Sequence, residues 1–473
     1  MDFSIETAVR RIGARIVVEP SSPLSRVSSI TWDSRAVEQG GAFLALKGAR
    51  VDGHDFAGAA LAAGAALVIV TDDLPEQALA FAREAGCCIA RVPDAQQALS
   101  ALASAWREEL SAHVVGVTGS VGKTTTRGLA AQVLSARFKT ESTKGNFNNE
   151  LGLPLTVLTA PKDCEALVVE MGMDGRGQIA RLAAVARPER AIITNVGTAH
   201  LEYLGTRENI ARAKAEIAEA LPDGEGVAFL AADGEFTDFI IEHARLAERG
   251  IRVVRFGGEG HASDVYATEV AFDAEGRPTF VLHAQGESCA CALKLRGAHN
   301  VQNACGAAAI GLSYGMSLPD VCHALAGAQA QAGRQALLRM PGGYRLLDDA
   351  YNASPESMAA SLSVLSSFST SGSRIAVLGD MGELGSASDA GHDSVGRAVA
   401  EAKIDALICV GPKSRRIAHA ARAAGMDPAR IQEVDDADAA REALSRIVRA
   451  DDVVLAKASH CMGLSKLAEG AVD

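Results

Sequence analysis

The sequence predicts an α/β protein of three domains. A small amino-terminal α/β module comes first, then a central P-loop doubly wound sheet with an added antiparallel subsheet, then a carboxy-terminal Rossmann-like α/β domain. Three observations carry that prediction. A length of 473 residues suggests about three domains at ~150 residues each. Short apolar runs alternate with helix-patterned segments along most of the chain. Between residues 264 and 296 the pattern changes to period two around the turn Asp273-Ala274-Glu275-Gly276, which reads as antiparallel hairpins.

The elements follow in chain order. In residues 1–110, Ala42 to Leu46 reads as a strand, His54 to Ala63 as helical and Ala66 to Val70 as a buried strand. Asp94 followed by Gln97 resembles a capping box and opens a helix to Leu110. In residues 111–332, strands are expected at 113–118, 166–171, 190–196, 226–231 and 252–256. Helices are expected from Glu208 to Leu221, from Phe236 to Arg249 and from Asn300 to about Tyr314. The stretch AGAQAQAGR, ending at Gly333-Arg334, marks the last boundary and an expected hinge. In residues 333–473, strands at 344–349, 374–379, 405–410 and 452–457 alternate with helices. Ser354-Pro355-Glu356 is a helix start, with a hydroxyl cap, proline at the first helical position and an acid in the first turn.

Composition narrows the function classes. Hydrophobic residues at 48% and charged residues at 22% fit a soluble globular chain. A formal net charge of -12 provides no global basic field for nucleic acid or an anionic membrane, so anionic ligands need local clusters. The nine cysteines include no CxxC pair and are odd in number, so they read as buried small hydrophobes in a reducing compartment. The first twenty residues lack a signal-peptide core, and the longest apolar run, Phe56 to Val70, is below spanning length. A cytoplasmic monomer without nucleic-acid partner or membrane insertion is expected.

The chemistry centres on His113 to Thr126, HVVGVTGSVGKTTT. An apolar strand feeds a turn with Gly119 and Gly122, then Lys123, Thr124 and Thr125 open a helix. Unpaired first-turn N–H groups and the positive dipole end make such a turn an anion cradle. A lysine there neutralises β/γ-phosphate oxygens and a threonine hydroxyl can hold Mg²⁺. The strict pattern places a glycine where Val117 stands, so this is a shortened loop, T-G-x-x-G-K-T-T.

Ligands in parallel sheets sit past the carboxyl ends of strands. The expected strand Ala166–Met171 ends at Glu170-Met171-Gly172, where a carboxylate is either a metal ligand or a strand-end acid facing solvent. His200, past the next strand, is either a ligand or phosphate contact, or an ordinary surface or core histidine. Lys214 reads, on pattern alone, as a solvated helix lysine. KGNFNNELGLPL at 144–155 is an amide-rich loop suited to carbonyl or hydroxyl recognition. Asp348-Asp349-Ala350-Tyr351-Asn352 reads either as ribose or adenine contacts or as helix-cap chemistry. Leu378–Gly385 is a glycine-rich acidic turn whose carboxylates would repel phosphate.

Taken together, TGSVGKTTT (118–126), the Asn loop before Gly152-Leu153-Pro154, VVEMG (168–172), TNVGTAHLEYLG (194–205), the AKAEI helix and GAHNVQNACGAA (297–308) resemble the Mur ligase family of ATP-dependent amide-forming enzymes. WDSRAVEQGGAFLALKG (32–48), VDGHDF (51–56), DDAYNASPESM (348–358) and VLGDMGELG (377–385) are most similar to the member that joins D-alanyl-D-alanine to UDP-N-acetylmuramoyl-tripeptide. The resemblance implies an acid–D-amino-acid ligase that works through an acyl phosphate and makes the UDP-muramoyl-pentapeptide precursor of peptidoglycan. It implies a UDP-muramoyl-peptide-binding domain at 1–110, an ATP-binding domain at 111–332, and a domain at 333–473 that closes over ATP and binds the dipeptide.

The same resemblance implies the residue roles. Gly119, Ser120, Val121, Gly122, Lys123, Thr124 and Thr125 would hold ATP phosphates, with Thr124 on a first Mg²⁺ completed by Glu170. His200 would contact a second Mg²⁺, and Lys214 matches a lysine carbamylated by CO₂ into a metal ligand. Lys123, His200 and Lys214 are thus the expected catalytic residues. Asn303, Arg334 and Asp349 would bind adenine, phosphate and ribose, with Asn352 close by. Ser34 and Arg35 would face the UDP end, and Asn148 and Asn149 the nucleotide or the acceptor peptide. One departure is Lys457-Ala458-Ser459-His460, where the family shows Lys-Gly-Ser-Arg. Folylpolyglutamate synthase, another Mur-type ligase, a P-loop ATPase switch and an inactive scaffold are the alternatives; the amino-terminal segment argues against the first.

Overall fold

The computed structural model describes residues 1–22, 25–48, 50–259 and 263–472. The chain divides into two compact units. One comprises Met1–Gly116, Phe138–Met173 and Gly177–Glu189, the other Val117–Arg137, Asp174–Arg176 and Arg190–Asp473. The dividing line runs through the strand His113–Thr118, whose bounds are those expected.

In the first unit, a five-stranded sheet runs in the order Arg15–Val18, Cys88–Arg91, Leu67–Val70, Ala42–Leu44, Ile30–Thr31. The first pair is antiparallel and the others are parallel. Leu67–Val70 is buried at every position, as a continuous apolar run in a parallel sheet requires. The helix Ala95–Glu109 starts where expected and shows the Asp94 half of a capping box: Asp94 Oδ1 accepts from Gln97 N at 2.9 Å. It delivers buried Trp106, which donates Nε1–H to Ala160 O at 2.9 Å and meets Phe3 edge-on at 5.5 Å. Thr140–Ser142 and Ala166–Glu170 pair in parallel within the same unit.

In the second unit, Arg190–Ile193, Val227–Ala231, Arg252–Glu259 and Val265–Phe272 are successive parallel neighbours. Pro278–Ala284 and Glu287–Ala292 then add antiparallel strands, the expected subsheet. A six-stranded sheet runs in the order Ala336–Arg339, Arg345–Asp348, Val453–Lys457, Arg374–Gly379, Ala406–Val410, Ile431–Val434, with only the first pair antiparallel. Period-two alternation sends Leu347, Ala376 and Leu378 against Met358, Leu362, Leu365 and Phe368 of the helix Pro355–Ser367. Leu346, Ile375 and Val377 face Ala440 and Leu444 of the helix Ala437–Ile447 on the other side. This sheet is therefore covered on both faces.

Several boundaries differ from expectation. The helix expected over Phe236–Arg249 is Thr237–His243, because Arg245 takes a left-handed φ of 52° that ends it. The edge strands Ala336–Arg339 and Ile431–Val434 were not expected; each has only four residues, most of them partly exposed, which carries too weak a pattern. All nine cysteines are free thiols, seven of them buried. Among the described residues no helix is long and apolar enough to cross a membrane.

Candidate active site

The phosphate loop is stitched to the end of the neighbouring strand Arg190–Ile193. Ser120 N donates to Asn195 O at 3.1 Å and Val121 N to Asn195 Oδ1 at 2.9 Å. Thr194 Oγ1 and Asn195 Nδ2 both donate to Val121 O, at 2.6 and 3.0 Å. Two glycines make this closeness possible. At Gly119, φ is +152° and a Cβ would come within 1.8 Å of Thr194 Oγ1. At Gly122, φ is +84° and a Cβ would meet Asn303 Oδ1 at 2.8 Å. Val117, where the longer loop has glycine, is a fully buried strand residue, so the shortening is built into the sheet.

Gly122 caps the helix Lys123–Ser135 without a side-chain bond, which leaves first-turn N–H groups for an anion. Lys123 Nζ curls back over the loop and donates to Gly119 O at 2.7 Å and Ser120 O at 3.3 Å. Behind the loop, Thr126 Oγ1 donates to Asn303 Oδ1 at 3.2 Å, and Asn303 Nδ2 to Asn300 Oδ1 at 2.9 Å. The amide expected at adenine thus braces the loop helix from the helix His299–Ser313.

Lys214 departs furthest from its pattern. The helix Arg207–Glu219 buries it to 1% exposure, so it is not the solvated lysine the spacing suggests. Its Nζ makes no hydrogen bond or ion pair among the described residues. Desolvation first, and Lys123 second, push its pKa well below the usual 10.5. Burial and the neighbouring positive charge thus both disfavour the charged form of this amine. His200 begins the helix Leu201–Leu204 at a left-handed φ of 64°, its Nδ1 2.7 Å from Glu383 Oε2. That contact, ahead of opposing desolvation, lowers the Glu383 pKa.

A second polar centre lies at the carboxyl edge of the six-stranded sheet. Buried Asp349 and Lys457 pair at 2.7 Å, and Lys457 Nζ also donates to Asn352 O at 2.9 Å. Ser361 Oγ donates to Asp349 Oδ2 at 2.5 Å. The Arg334 guanidinium stacks 4.2 Å over the Tyr351 ring. Asn352 Oδ1 accepts from Ala353 N at 2.8 Å. Asp349 and Asn352 thus meet at Lys457, and Arg334 lies on the adjoining Tyr351. In the departing tetrad, Ala458 is wholly buried and Ser459 Oγ accepts from Gly382 N at 2.8 Å. His460 is exposed, 5.7 Å from the Tyr351 ring.

In the first unit, Glu170 is 2% exposed; its Oε1 accepts from Asn148 Nδ2 at 2.8 Å and its N–H is held by Thr143 Oγ1 at 2.9 Å. Of the two readings of Glu170, the solvent-facing acid is thereby excluded. Asn149 Oδ1 accepts from Leu151 N and Gly152 N at 3.2 and 2.9 Å, at the start of the helix Gly152–Thr159. Arg35 is exposed and forks onto Asp33 at 2.9 and 2.7 Å, which lowers the Asp33 pKa to about 2. Ser34 opens the same 3₁₀ turn.

Four further groups stand at these centres without being marked out by residue type. Lys457 pairs with Asp349, and Glu356 and Glu383 touch the His200 segment. The fourth, His299, has its pKa pushed from 6.5 to about 4, by desolvation first, with Asp349 opposing. The signals were present as a strand-end lysine, two acids in segments otherwise explained, and a histidine inside GAHN. Asp52, His54 and Asp72 also converge, but His54 Nε2 already accepts from Thr71 N at 3.0 Å and Nδ1 faces Asp52 at 2.6 Å. That cluster braces a turn.

The donor chemistry fits Mg²⁺. The Thr124 hydroxyl, in the second unit, is a buried hard oxygen donor of the type this ion takes, and in the first unit, taken by itself, the Glu170 carboxylate is another. Lys214 as a bare amine does not suit the ion; as a carbamate it would.

Comparison with known proteins agrees along the whole chain. The family pattern described as Mur ligase family, catalytic domain, matches residues 26–107, the Mur ligase middle domain matches 117–311, and the Mur ligase, glutamate ligase domain matches 333–460. The UDP-N-acetylmuramoyl-tripeptide–D-alanyl-D-alanine ligase of Bacillus subtilis is 32% identical over 472 residues, which cover 99% of each chain. The crystal structure of MurF from Acinetobacter baumannii superposes with a TM-score of 0.86 at 31% identity, over 99% of this chain and 98% of that one. MurF from Thermotoga maritima in complex with ADP gives 0.78 at 29% identity, over 94% and 96%. From its amino-terminal to its carboxy-terminal segment, this chain belongs to the Mur ligase family.

Proposed function

We propose that the chain is an ATP-dependent ligase that joins D-alanyl-D-alanine to UDP-N-acetylmuramoyl-tripeptide, giving the UDP-muramoyl-pentapeptide used in peptidoglycan synthesis. The observation that carries the reading is the buried Lys214, whose charge is opposed by Lys123 of the phosphate cradle. A simple ATPase switch has no use for a desolvated amine there. A full-length relative bearing the ligase name supports the choice of substrates. In this reading residues 1–110 hold the UDP-muramoyl peptide, 111–332 hold ATP, and 333–473 close over ATP and bind the dipeptide. We place the enzyme in the cytoplasm, as a monomer.

A carboxylate is a poor acylating agent because its leaving group would be oxide. One carboxylate oxygen of the tripeptide takes the γ-phosphoryl group and ADP leaves. The amine of D-alanyl-D-alanine then attacks the acyl carbon: a C–N bond forms, the C–O bond to phosphate breaks, and the amine loses a proton. When bound, Mg²⁺ supplies neutralisation of phosphoryl charge, and Thr124, Glu170, His200 and modified Lys214 are the residues that would hold two such ions. Lys123 exchanges the carbonyls of Gly119 and Ser120 for phosphate oxygens, and the loop N–H groups orient them. Arg334 and Asp349 fix phosphate and ribose, while Ser34, Arg35 and Asn148 face the other substrate. At Lys214 the neutral amine adds to CO₂, a C–N bond forms, and the proton goes to water, leaving a carbamate.

The test is direct. The full chain, with ATP, Mg²⁺, UDP-muramoyl-tripeptide and D-alanyl-D-alanine, should yield pentapeptide by mass spectrometry. Lys214→Ala should abolish the product, and short carboxylic acids should partly restore it. Full activity in Lys214→Ala would remove Lys214 from the mechanism, and no product from the parent would sink the ligase reading.

A further inference from the structure

Two acids left unused by the mechanism converge on the segment that carries His200. Glu356 Oε1 accepts from Thr198 N at 3.0 Å and from Thr198 Oγ1 at 2.9 Å, and its Oε2 lies 3.1 Å from the same hydroxyl. One residue earlier, Gly197 N donates to Ser120 Oγ of the phosphate loop at 2.9 Å. A Cβ at Gly197 would come within 3.1 Å of Glu356 Oε1 and 3.3 Å of Ser120 Cβ, so the peptide is gripped from both sides. Further along, Glu202 N donates to Glu383 O at 3.2 Å, and Glu383 Oε2 is the oxygen facing His200 Nδ1. His200 and Glu383 both take left-handed backbone, at φ 64° and 60°. Such conformations persist only where the surroundings over-determine them.

We propose that Glu356 is a positioning residue for the ligase reaction, clasping Thr198 so that the His200 turn takes its working shape only when the helix Pro355–Ser367 is seated. The inference rests on the ligase reading. Glu356 suits the task because its backbone is stiff: it follows Pro355 in a helix start where Ser354 and Ser357 cap one another reciprocally. A single carboxylate receives a backbone N–H and a hydroxyl, and both bonds are strengthened by its charge. Just upstream, Asp349 and Asn352 are tied to Lys457, so the expected ribose contacts and the clasp belong to one rigid stretch. Nucleotide engagement and His200 geometry are thereby mechanically linked.

The experiment compares Glu356→Ala, Thr198→Val, their double variant and Glu356→Gln in the full-length enzyme. Each single change should lower kcat by about 10-fold, the effect of losing charge-assisted hydrogen bonds. The double variant should fall no further than Glu356→Ala, because that change already removes the hydroxyl bond that Thr198→Val removes. Glu356→Gln should stay within about 3-fold of the parent, since its amide oxygen can still accept both bonds. Hydrogen exchange without nucleotide should show the Thr198 amide exchanging faster in Glu356→Ala and near the parental rate in Glu356→Gln. Parental kcat in Glu356→Ala, a multiplicative double variant, or unchanged Thr198 exchange each overturns the proposal. If Glu356→Ala fails to fold, Thr198→Val and Glu356→Gln still decide it. An inactive parent would count against the ligase reading, while amide exchange would still judge the clasp.

Discussion

Lys214 shows how one residue can set stability against chemistry. Folding desolvates its amine and places it near another cation, so the native state prefers the unprotonated form more than the unfolded chain does. The sign follows. Between the lowered native pKa and 10.5 the unfolded chain binds the extra proton, so native stability rises with pH through that window and is smaller at neutral pH. Lys214→Met keeps the volume and removes the charge. It should raise unfolding free energy at neutral pH by roughly 1–2 kcal/mol and flatten the pH dependence, while product formation disappears. Denaturant melts across the neutral range check this; a less stable Met variant would show that the amine is satisfied in solution. His299 gives the same sign at lower pH. With its pKa pushed down to about 4, it binds no proton in the native state where the unfolded chain does, so stability falls as pH drops from 6.5 towards 4. His299→Asn should shrink that acid limb in thermal melts.

At the scale of elements, the strand–loop–helix from His113 to Ser135 is specified by features confined to a few adjacent residues. A buried apolar run makes the strand, two glycines supply backbone shapes other residues resist, and the helix start carries no side-chain cap. Gly119→Ala should therefore fail locally. Its methyl would meet Thr194 Oγ1, so the loop must move, at a cost of about 1–3 kcal/mol. Calorimetry with a non-hydrolysable ATP analogue should show lost affinity even where the melt survives, and unchanged affinity would remove the loop's tight closure from the binding argument. This strand was legible to the residue because its signal is local. Lys214 was not: its helix reads as alternating alanine and charge, and only the packing around it decides which positions are covered. Asn149 shows a related ambiguity. An amide in a glycine-flanked loop serves a ligand or a helix N-terminus equally well, and here its Oδ1 also takes the first N–H of Gly152–Thr159.

Across the whole molecule, the three α/β patterns were legible because each strand and crossover helix is written in consecutive residues. The ties around His200 were not. Thr198 and Glu356 stand 158 residues apart, and no periodicity links them. That long-range construction bears on the alternative of an ATPase switch. If the tripeptide carboxylate is the phosphoryl acceptor, water at the cradle is a competitor that the enzyme gains by excluding. If the His200 turn is finished by contacts from the carboxy-terminal segment, ATP alone leaves the acceptor position empty however well the phosphates are held. Phosphate release should therefore stay at background with ATP and Mg²⁺, and remain low when either UDP-muramoyl-tripeptide or D-alanyl-D-alanine is added alone. It should rise by two or more orders of magnitude, roughly the contribution of orienting both reactants, only when both are present. A continuous phosphate assay over these four mixtures separates the readings, because a switch would turn over ATP at a comparable rate in all of them.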